Sequence, residues 1–368
     1  MLDVCRVGII ERLVEEMSRG SRMSAGGFRG RATVLVVLAG ILALALSGCV
    51  SKEDSTGAVA DASVDPAQLA GLTLRVGDQK GGTESLMRAA GELDSLPFKV
   101  EFSTFTSGPP EIEAATAGKI DFAVTGNTPP IFGAASNAKI KIVSAYTNNA
   151  GGDVILVPAG STLTSVEQLK GKKVAVAKGS SAHGNLLEQL SKANLKLGTD
   201  VTPVFLQPAD ALSAFSSGAV DAWAIWDPYT AIVQKDSGAK ILASGTGVVN
   251  GYGFGIASNE ALADAKRNTA LRIFVEHLAK ASKWASANVE TWSQQYAKAI
   301  GIDPQAALAA QQRSVRPAIE IDDTVVASEQ KLADAFAAAG QLDHKPVIAD
   351  FVDKRFNSTV APYAVSTQ

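Results

Sequence analysis

In the stretch Val174-Ala175-Val176-Ala177-Lys178-Gly179-Ser180-Ser181-Ala182-His183 an apolar run breaks into small polar residues, and a helical pattern follows. Leu186, Leu187, Leu190 and Leu195 recur at close to helical spacing, so Ser180 or Ser181 falls where an N-cap belongs. The first amides of a helix have no partner within it, and the helix dipole is positive there, so this corner suits an anion. Serine is also the ordinary cap residue, and the corner alone does not choose between the two readings. Four other loops of similar form add weight to the first.

Working outward, residues 72–76 read as a strand leading into Gly77-Asp78-Gln79-Lys80-Gly81-Gly82-Thr83 and a helix from Glu84. A strand at 99–105 runs into Thr106-Ser107-Gly108-Pro109-Pro110-Glu111, with proline at a helix start, where its missing amide is not needed. A third strand, 120–124, ends in Thr125-Gly126-Asn127-Thr128-Pro129-Pro130, and a fourth follows at 140–145. Alternation of strand and helix predicts parallel pairing with helices packed on the sheet. After Thr147-Asn148-Asn149-Ala150-Gly151-Gly152 the programme restarts with a strand at 154–157, a capping box at Ser165-Val166-Glu167-Gln168, and the stretch quoted above. A strand at 202–205, a loop at Gln207-Pro208-Ala209-Asp210 and a strand at 220–225 ending in Trp226-Asp227-Pro228-Tyr229 complete it. Gly118, Ile120 and Asp121 match Gly218, Val220 and Asp221 at one constant offset, which also carries Val76 onto Val176 and Asn127 onto Asp227. Two α/β lobes of one design are expected, joined by two chain crossings that form a hinge, with ligand held between their loop-bearing strand ends. Residues 72–150 with 256–368 make the first lobe in this reading, and 151–255 the second.

The chain has 368 residues, 46% hydrophobic and 19% charged, with a formal net charge of −3, which permits about two domains and offers no basic block for nucleic acid. Its two cysteines, Cys5 and Cys49, lie outside the expected globular part, and His183, His277 and His344 are scattered without ligand spacing. No metal and no cofactor are expected. From Met23, Arg29 and Arg31 precede an apolar run at 32–46, the form of a secretory signal, and the run ends in Leu46-Ser47-Gly48-Cys49, which resembles a bacterial lipobox. Residues 1–48 are therefore read as leader and signal peptide, Cys49 as a lipidation site anchoring the protein outside the cytoplasm, and 49–71, rich in Ser, Ala, Asp and Gly, as a flexible tether.

The combination of Gln79-Lys80-Gly81, Ser107-Gly108-Pro109-Pro110, Thr125-Gly126-Asn127, Gly179-Ser180-Ser181-Ala182-His183, Pro208-Ala209-Asp210-Ala211 and Trp223-Ala224-Ile225-Trp226-Asp227-Pro228-Tyr229 resembles the bacterial aliphatic-sulfonate-binding proteins. These are receptors of ATP-driven importers and are similar to the nitrate and taurine receptors. The resemblance implies a two-lobed α/β periplasmic-binding-protein-like fold of type II, each lobe a mainly parallel sheet flanked by helices. It implies a monomer that captures a small sulfonate-like anion, with an ABC permease and its ATPase as partners; a receptor for nitrate, taurine or another small organic anion is the alternative. Two positions depart from the family pattern: Asn127 stands where an acid is usual, and Gly82 where Ser or Thr usually follows.

A sulfonate stays ionised and needs several donors when it leaves water. The expected donors are the Ser180 and Ser181 hydroxyls, the amides of Ser181, Ala182 and His183, and Gln79 and Lys80 in the loop with Gly81. Trp226 and Tyr252 are expected to cover the carbon chain, while Trp223, on the opposite strand face, is expected in the core. Gly126 with Asn127, and Asp227, occupy equivalent loop ends. His183 either donates to ligand or packs on its helix, Asp227 either meets ligand or bonds its own turn, and Arg316 either approaches the cleft or braces the lobe, with the brace preferred. Ser181 and His183, two residues apart at a helix start, do not make a catalytic triad, no Gly-x-Ser-x-Gly elbow occurs, and no enzyme activity is expected.

Overall fold

A computed structural model describes residues 60–366, which belong to one compact unit. The leader, the signal segment and Cys49 lie outside the described residues. With strands numbered along the chain, the first sheet holds β1 (Thr73–Gln79), β2 (Lys99–Phe105), β3 (Phe122–Gly126), β4 (Ile140–Thr147), β10 (Tyr252–Ser258) and the short β11 (Ala318–Ile319), in the order β11-β4-β10-β3-β1-β2. The second holds β5 (Val154–Val157), β6 (Lys173–Val176), β7 (Thr202–Phe205), β8 (Ala222–Ile225) and β9 (Lys240–Ser244), in the order β7-β6-β8-β5-β9. Strands β1, β2 and β3 are parallel, as are β6, β7 and β8. Antiparallel strands complete each sheet: β10 lies between β3 and β4, and β5 between β8 and β9. The sheets are therefore mixed but mainly of one direction: β1, β2, β3 and β4 run parallel in the first, and β6, β7, β8 and β9 in the second. Each lobe receives one strand from the chain that has just crossed into it, so Val154–Val157 is a crossing strand and does not open the second lobe's parallel series.

Helices follow the strands as the loop chemistry predicts: α1 (Gly82–Ala89), α2 (Gly108–Thr116) and α3 (Thr128–Ala135) in the first lobe, α4 (Ser181–Lys192), α5 (Pro208–Ser216) and α6 (Tyr229–Ser237) in the second. Proline stands in the first turn of α2, α3 and α5. In α4, Leu186 and Leu190 are fully buried against Val174, Val176 and Ile155 of their sheet, each worth about 1.5–3 kcal/mol of apolar burial. The later helices α7 (Asn259–Ala263), α8 (Ala265–Ala287), α9 (Val289–Ile300), α10 (Pro304–Arg313), α11 (Asp323–Ala338) and α12 (Asn357–Val360) close the fold. Helix α11 joins the second lobe's core through Leu332, Ala333 and Phe336, so the chain's last third braces both lobes.

The internal repeat is real in structure but not at a constant offset. The Asp121 carboxylate accepts from the Arg75 amide and that of Asp221 from the Lys173 amide, both at 2.8 Å, across 46 residues in one lobe and 48 in the other. The equivalent of Val76 is accordingly Val174, since these residues pair with Phe122 and Ala222. The expected tether also ends early. Asp61 pairs with Arg272 at 2.9 Å, the Val64 amide donates to Thr269, and Leu69 is fully buried. Tyr252 to Gly255, expected in the second lobe, pair within the first sheet.

Candidate functional site

The loops after β1, β3, β6 and β8, with the crossings and residues 314–316, enclose a gap of about 910 Å³, counting the part open to solvent. From the first lobe it is lined by Gln79, Lys80, Gly126 and Tyr146, and from the second by Ser180, Ser181, Trp226, Asp227 and Tyr229. Asp153, Tyr252, Tyr296 and Arg316 close its remaining sides. The lobes meet closely here. A Cβ placed on Gly126 would come within 2.8 Å of the Ser181 Cβ, so only glycine allows this approach. At the rim, the Thr106 and Ser107 hydroxyls donate to Gln207 Oε1 at 3.0 and 2.9 Å, joining two loops on opposite sides.

Of the expected site residues, Gln79, Lys80, Gly126, Ser180, Ser181, Trp226, Asp227 and Tyr252 come together on this wall, while Gly81, Asn127, Ala182 and His183 do not. His183 is wholly buried. Its ring lies among Phe132, Phe205 and Phe336, and its Nδ1 accepts from the Gly179 amide at 3.1 Å. Burial, with Lys178 nearby, lowers its pKa to about 4 and keeps it neutral. The packing alternative therefore holds, and the His183 amide bonds back to Ser180. Asn127 is buried as well: its Nδ2 donates to Asn250 at 2.8 Å and its Oδ1 accepts from Thr128. It ties the end of β3 to the second crossing and does not face the gap.

The expected side-chain donors are mostly engaged inside the protein. Gln79 Nε2 donates to Glu111 at 2.7 Å and to the Val124 carbonyl. Ser180 caps α4 as expected, accepting from the His183 amide and donating to the Ala177 carbonyl. Ser181 donates to Asp153 at 2.6 Å. The amides that begin α1 are also occupied, because Asp78 accepts from Thr83 and Glu84. Asp227 is held by Arg313 at 2.8 Å and accepts from the Ala231 amide of α6, so its carboxylate is engaged within the protein while it lines the gap.

What remains free points to an anion. Lys80 Nζ stands 5.4 Å from the Tyr229 ring centre and the Arg316 guanidinium 5.8 Å from that of Tyr146, and among the described residues neither cation has an ion-pair or hydrogen-bond partner. Arg316 thus lines the gap, the less favoured of the two alternatives read for it. Sequence reasoning preferred a brace because the residue lies far along the chain from any loop of the repeat. The hydroxyls of Tyr229, Tyr252 and Tyr296 also lack partners among the described residues, and burial raises all three pKa values, so they stay donors. Of the first amides of α4, that of His183 donates to Ser180, while those of Ser181 and Ala182 have no acceptor among the described residues. Three carboxylates sit beside these donors, each pinned by its own partner: Asp78 by amides, Asp227 by Arg313, Asp153 by Ser181. Burial raises the Asp153 pKa to about 6, against the opposing effects of Ser181 and Arg316.

Two mixed α/β lobes joined by two crossings, with ligand-type loops meeting over a gap, define a periplasmic-binding-protein fold. The chain belongs to the NMT1/THI5-like family, which it matches over residues 99–291. It is 31% identical to a relative from Bacillus subtilis (strain 168) over 77% of this chain and 83% of that one. A relative from Escherichia coli (strain K12) is 41% identical over 56% of this chain, which spans 63% of that relative's length. Both carry the provisional name aliphatic sulfonates-binding protein. Among solved structures, the alkanesulfonate-binding protein SsuA from Xanthomonas axonopodis pv. citri, bound to MOPS, is 31% identical with a TM-score of 0.72, covering 79% of this chain and 99% of that one.

Proposed function

We propose that this protein is an extracytoplasmic receptor of an ABC importer that captures an aliphatic sulfonate between its lobes and delivers it to a membrane permease driven by an ATPase. The observation that carries the reading is the pair of cations, Lys80 and Arg316, that face one gap with no ion pair or hydrogen bond among the described residues, although Asp153 and Asp227 stand within electrostatic reach of Arg316. A desolvated sulfonate supplies the negative charge these cations call for, and the tyrosine hydroxyls with the Ser181 amide supply donors to its oxygens. Trp226 and Tyr252 cover its first carbons. The names of the relatives support the same ligand class. In this reading the protein acts as a monomer without cofactor, held at the membrane by lipid on Cys49, and catalyses no reaction.

Calorimetry with ethanesulfonate, taurine, nitrate and sulfate tests it. Ethanesulfonate binding that falls at least about 100-fold in Lys80→Met and in Arg316→Met is expected, the loss of one charge-assisted contact of about 3 kcal/mol each. Tight nitrate binding with no sulfonate binding selects the alternative receptor class.

A further inference from the structure

Two residues, Gly82 and Arg316, are shared by three adjoining spaces in the described fold. One of these, about 570 Å³ with its open part, lies behind Arg316 and is walled by Leu86 of α1, Val275, Leu278 and Ala279 of α8, Ala318 of β11 and Val360 of α12. It adjoins the anion gap along Gly82, Thr83, Val124, Tyr146 and Arg316. This chamber is apolar where the gap is charged.

Glycine at position 82 has no backbone reason. Gly81 has a φ of 68° and needs to be glycine, but Gly82 begins α1 outside the left-handed region. A Cβ added there meets no heavy atom within 4 Å, so a larger residue would fit the fold and stand in open space on the seam between gap and chamber. A side chain at this position would stand among the residues that the gap and the chamber share.

We propose that Gly82 connects the anion gap to the apolar chamber, and that the ligand's arm is an apolar chain or ring seated against Leu86, Val275 and Leu278. The inference rests on the anion-receptor reading and extends it to the ligand's other end. The arm needs no hydrogen-bond partner there, and each methylene that enters should tighten binding about fourfold.

The test is calorimetry on the purified protein with n-alkanesulfonates from methane- to octanesulfonate, and with n-alkanoates of the same lengths in parallel. Affinity should climb with chain length until the chamber is full. Gly82→Thr, which blocks the seam, and Leu278→Trp, which fills the chamber from its far side, should each lower the octane-to-ethane affinity ratio at least tenfold. Sulfonate binding that does not change with length, or variants that leave the ratio as it was, would overturn the chamber while leaving the sulfonate receptor intact. If no sulfonate binds, the receptor reading fails as stated, and the alkanoates decide the chamber: a length dependence lost in Leu278→Trp supports it, and none overturns it.

Discussion

Asp153 is the residue whose charge opposes the ligand most directly. It lines the gap, is 7% exposed, and faces Ser181, Arg316 and Asp227. Its pKa of about 6 lies above its ordinary 3.8, with burial the largest cause, so it is largely protonated below pH 6 and charged above. A bound anion favours the neutral form, and by linkage affinity must fall as pH rises through about 6. A sulfonate does not titrate in this range, so the effect belongs to the protein. Ethanesulfonate should bind about tenfold more weakly at pH 8 than at pH 5, the equivalent of one pKa unit, and Asp153→Asn should make the calorimetric profile flat. A profile equally steep in the variant would remove Asp153 from the site's electrostatics. Single residues were also where sequence reading was least secure. Lys80, Trp226 and Tyr252 were legible because each stands at a loop end of the repeat, or in the return crossing. Tyr229 and Tyr296 were not assigned, and Arg316 was weighed but read the other way, because whether a side chain is free depends on which partners folding leaves over. Ser180, Ser181 and Gln79 show the converse: they reach the gap wall, but their hydrogens are used elsewhere.

At the level of elements, β3, the second crossing and α11 are tied by one chain of amides. Asn127 donates to Asn250, and Asn250 donates to Glu329 of α11 at 2.9 Å. Glu329 is 1% exposed, and among the described residues its other oxygen has no hydrogen-bond partner and no charged group contributes to its shift. Burial raises its pKa from 4.5 to about 8, so the folded protein holds this proton across neutral pH. For a carboxyl with a raised folded pKa, stability is full below the unfolded value and declines as pH climbs toward the folded one. The slope is about 1.4 kcal/mol per pH unit between them. Thermal denaturation should accordingly show Tm falling between pH 6 and 8, and Glu329→Gln, which keeps a donor and an acceptor, should remove most of that fall. A Tm that declines as steeply in the variant would place the titration elsewhere. None of this was visible beforehand. Asn127 was read as a ligand-facing loop end that lacks the usual charge, whereas its bond to Asn250 makes it a link to the crossing. Strand order escaped the sequence for a related reason: periodicity marks Val154–Val157 as a buried strand, but its antiparallel place between β8 and β9 follows from the direction in which the chain re-enters.

Over the whole molecule, function depends on two lobes that come together, and the described arrangement shows how tightly. Loops that the sequence marked as equivalent do face each other: Gly126 at the end of β3 lies against Ser181 at the start of α4, and Thr106 and Ser107 share Gln207. Two sheets of like design and a gap between them were legible because loop composition repeats with the strands. The bracing of both lobes by residues 313–336 was not, since helical amphipathicity says that a face is buried without saying on which lobe. Gly126 offers a test of the whole arrangement. It lies in a strand paired with Gly253, so alanine suits its backbone, but its Cβ would stand 2.8 Å from that of Ser181, a separation that packed carbons do not adopt. The methyl must push the lobes apart by roughly 0.7 Å to reach ordinary carbon contact, against the contacts that in the receptor reading hold the anion from both sides. Gly126→Ala should therefore keep its Tm within about 2 °C when ligand-free, as a substitution outside a core does. Ethanesulfonate affinity should drop about tenfold or more, with the loss in a faster off-rate measured by stopped flow. Unchanged affinity in a folded Gly126→Ala protein would mean that the ligand is held without this close approach, and that the gap works as an open surface of one lobe.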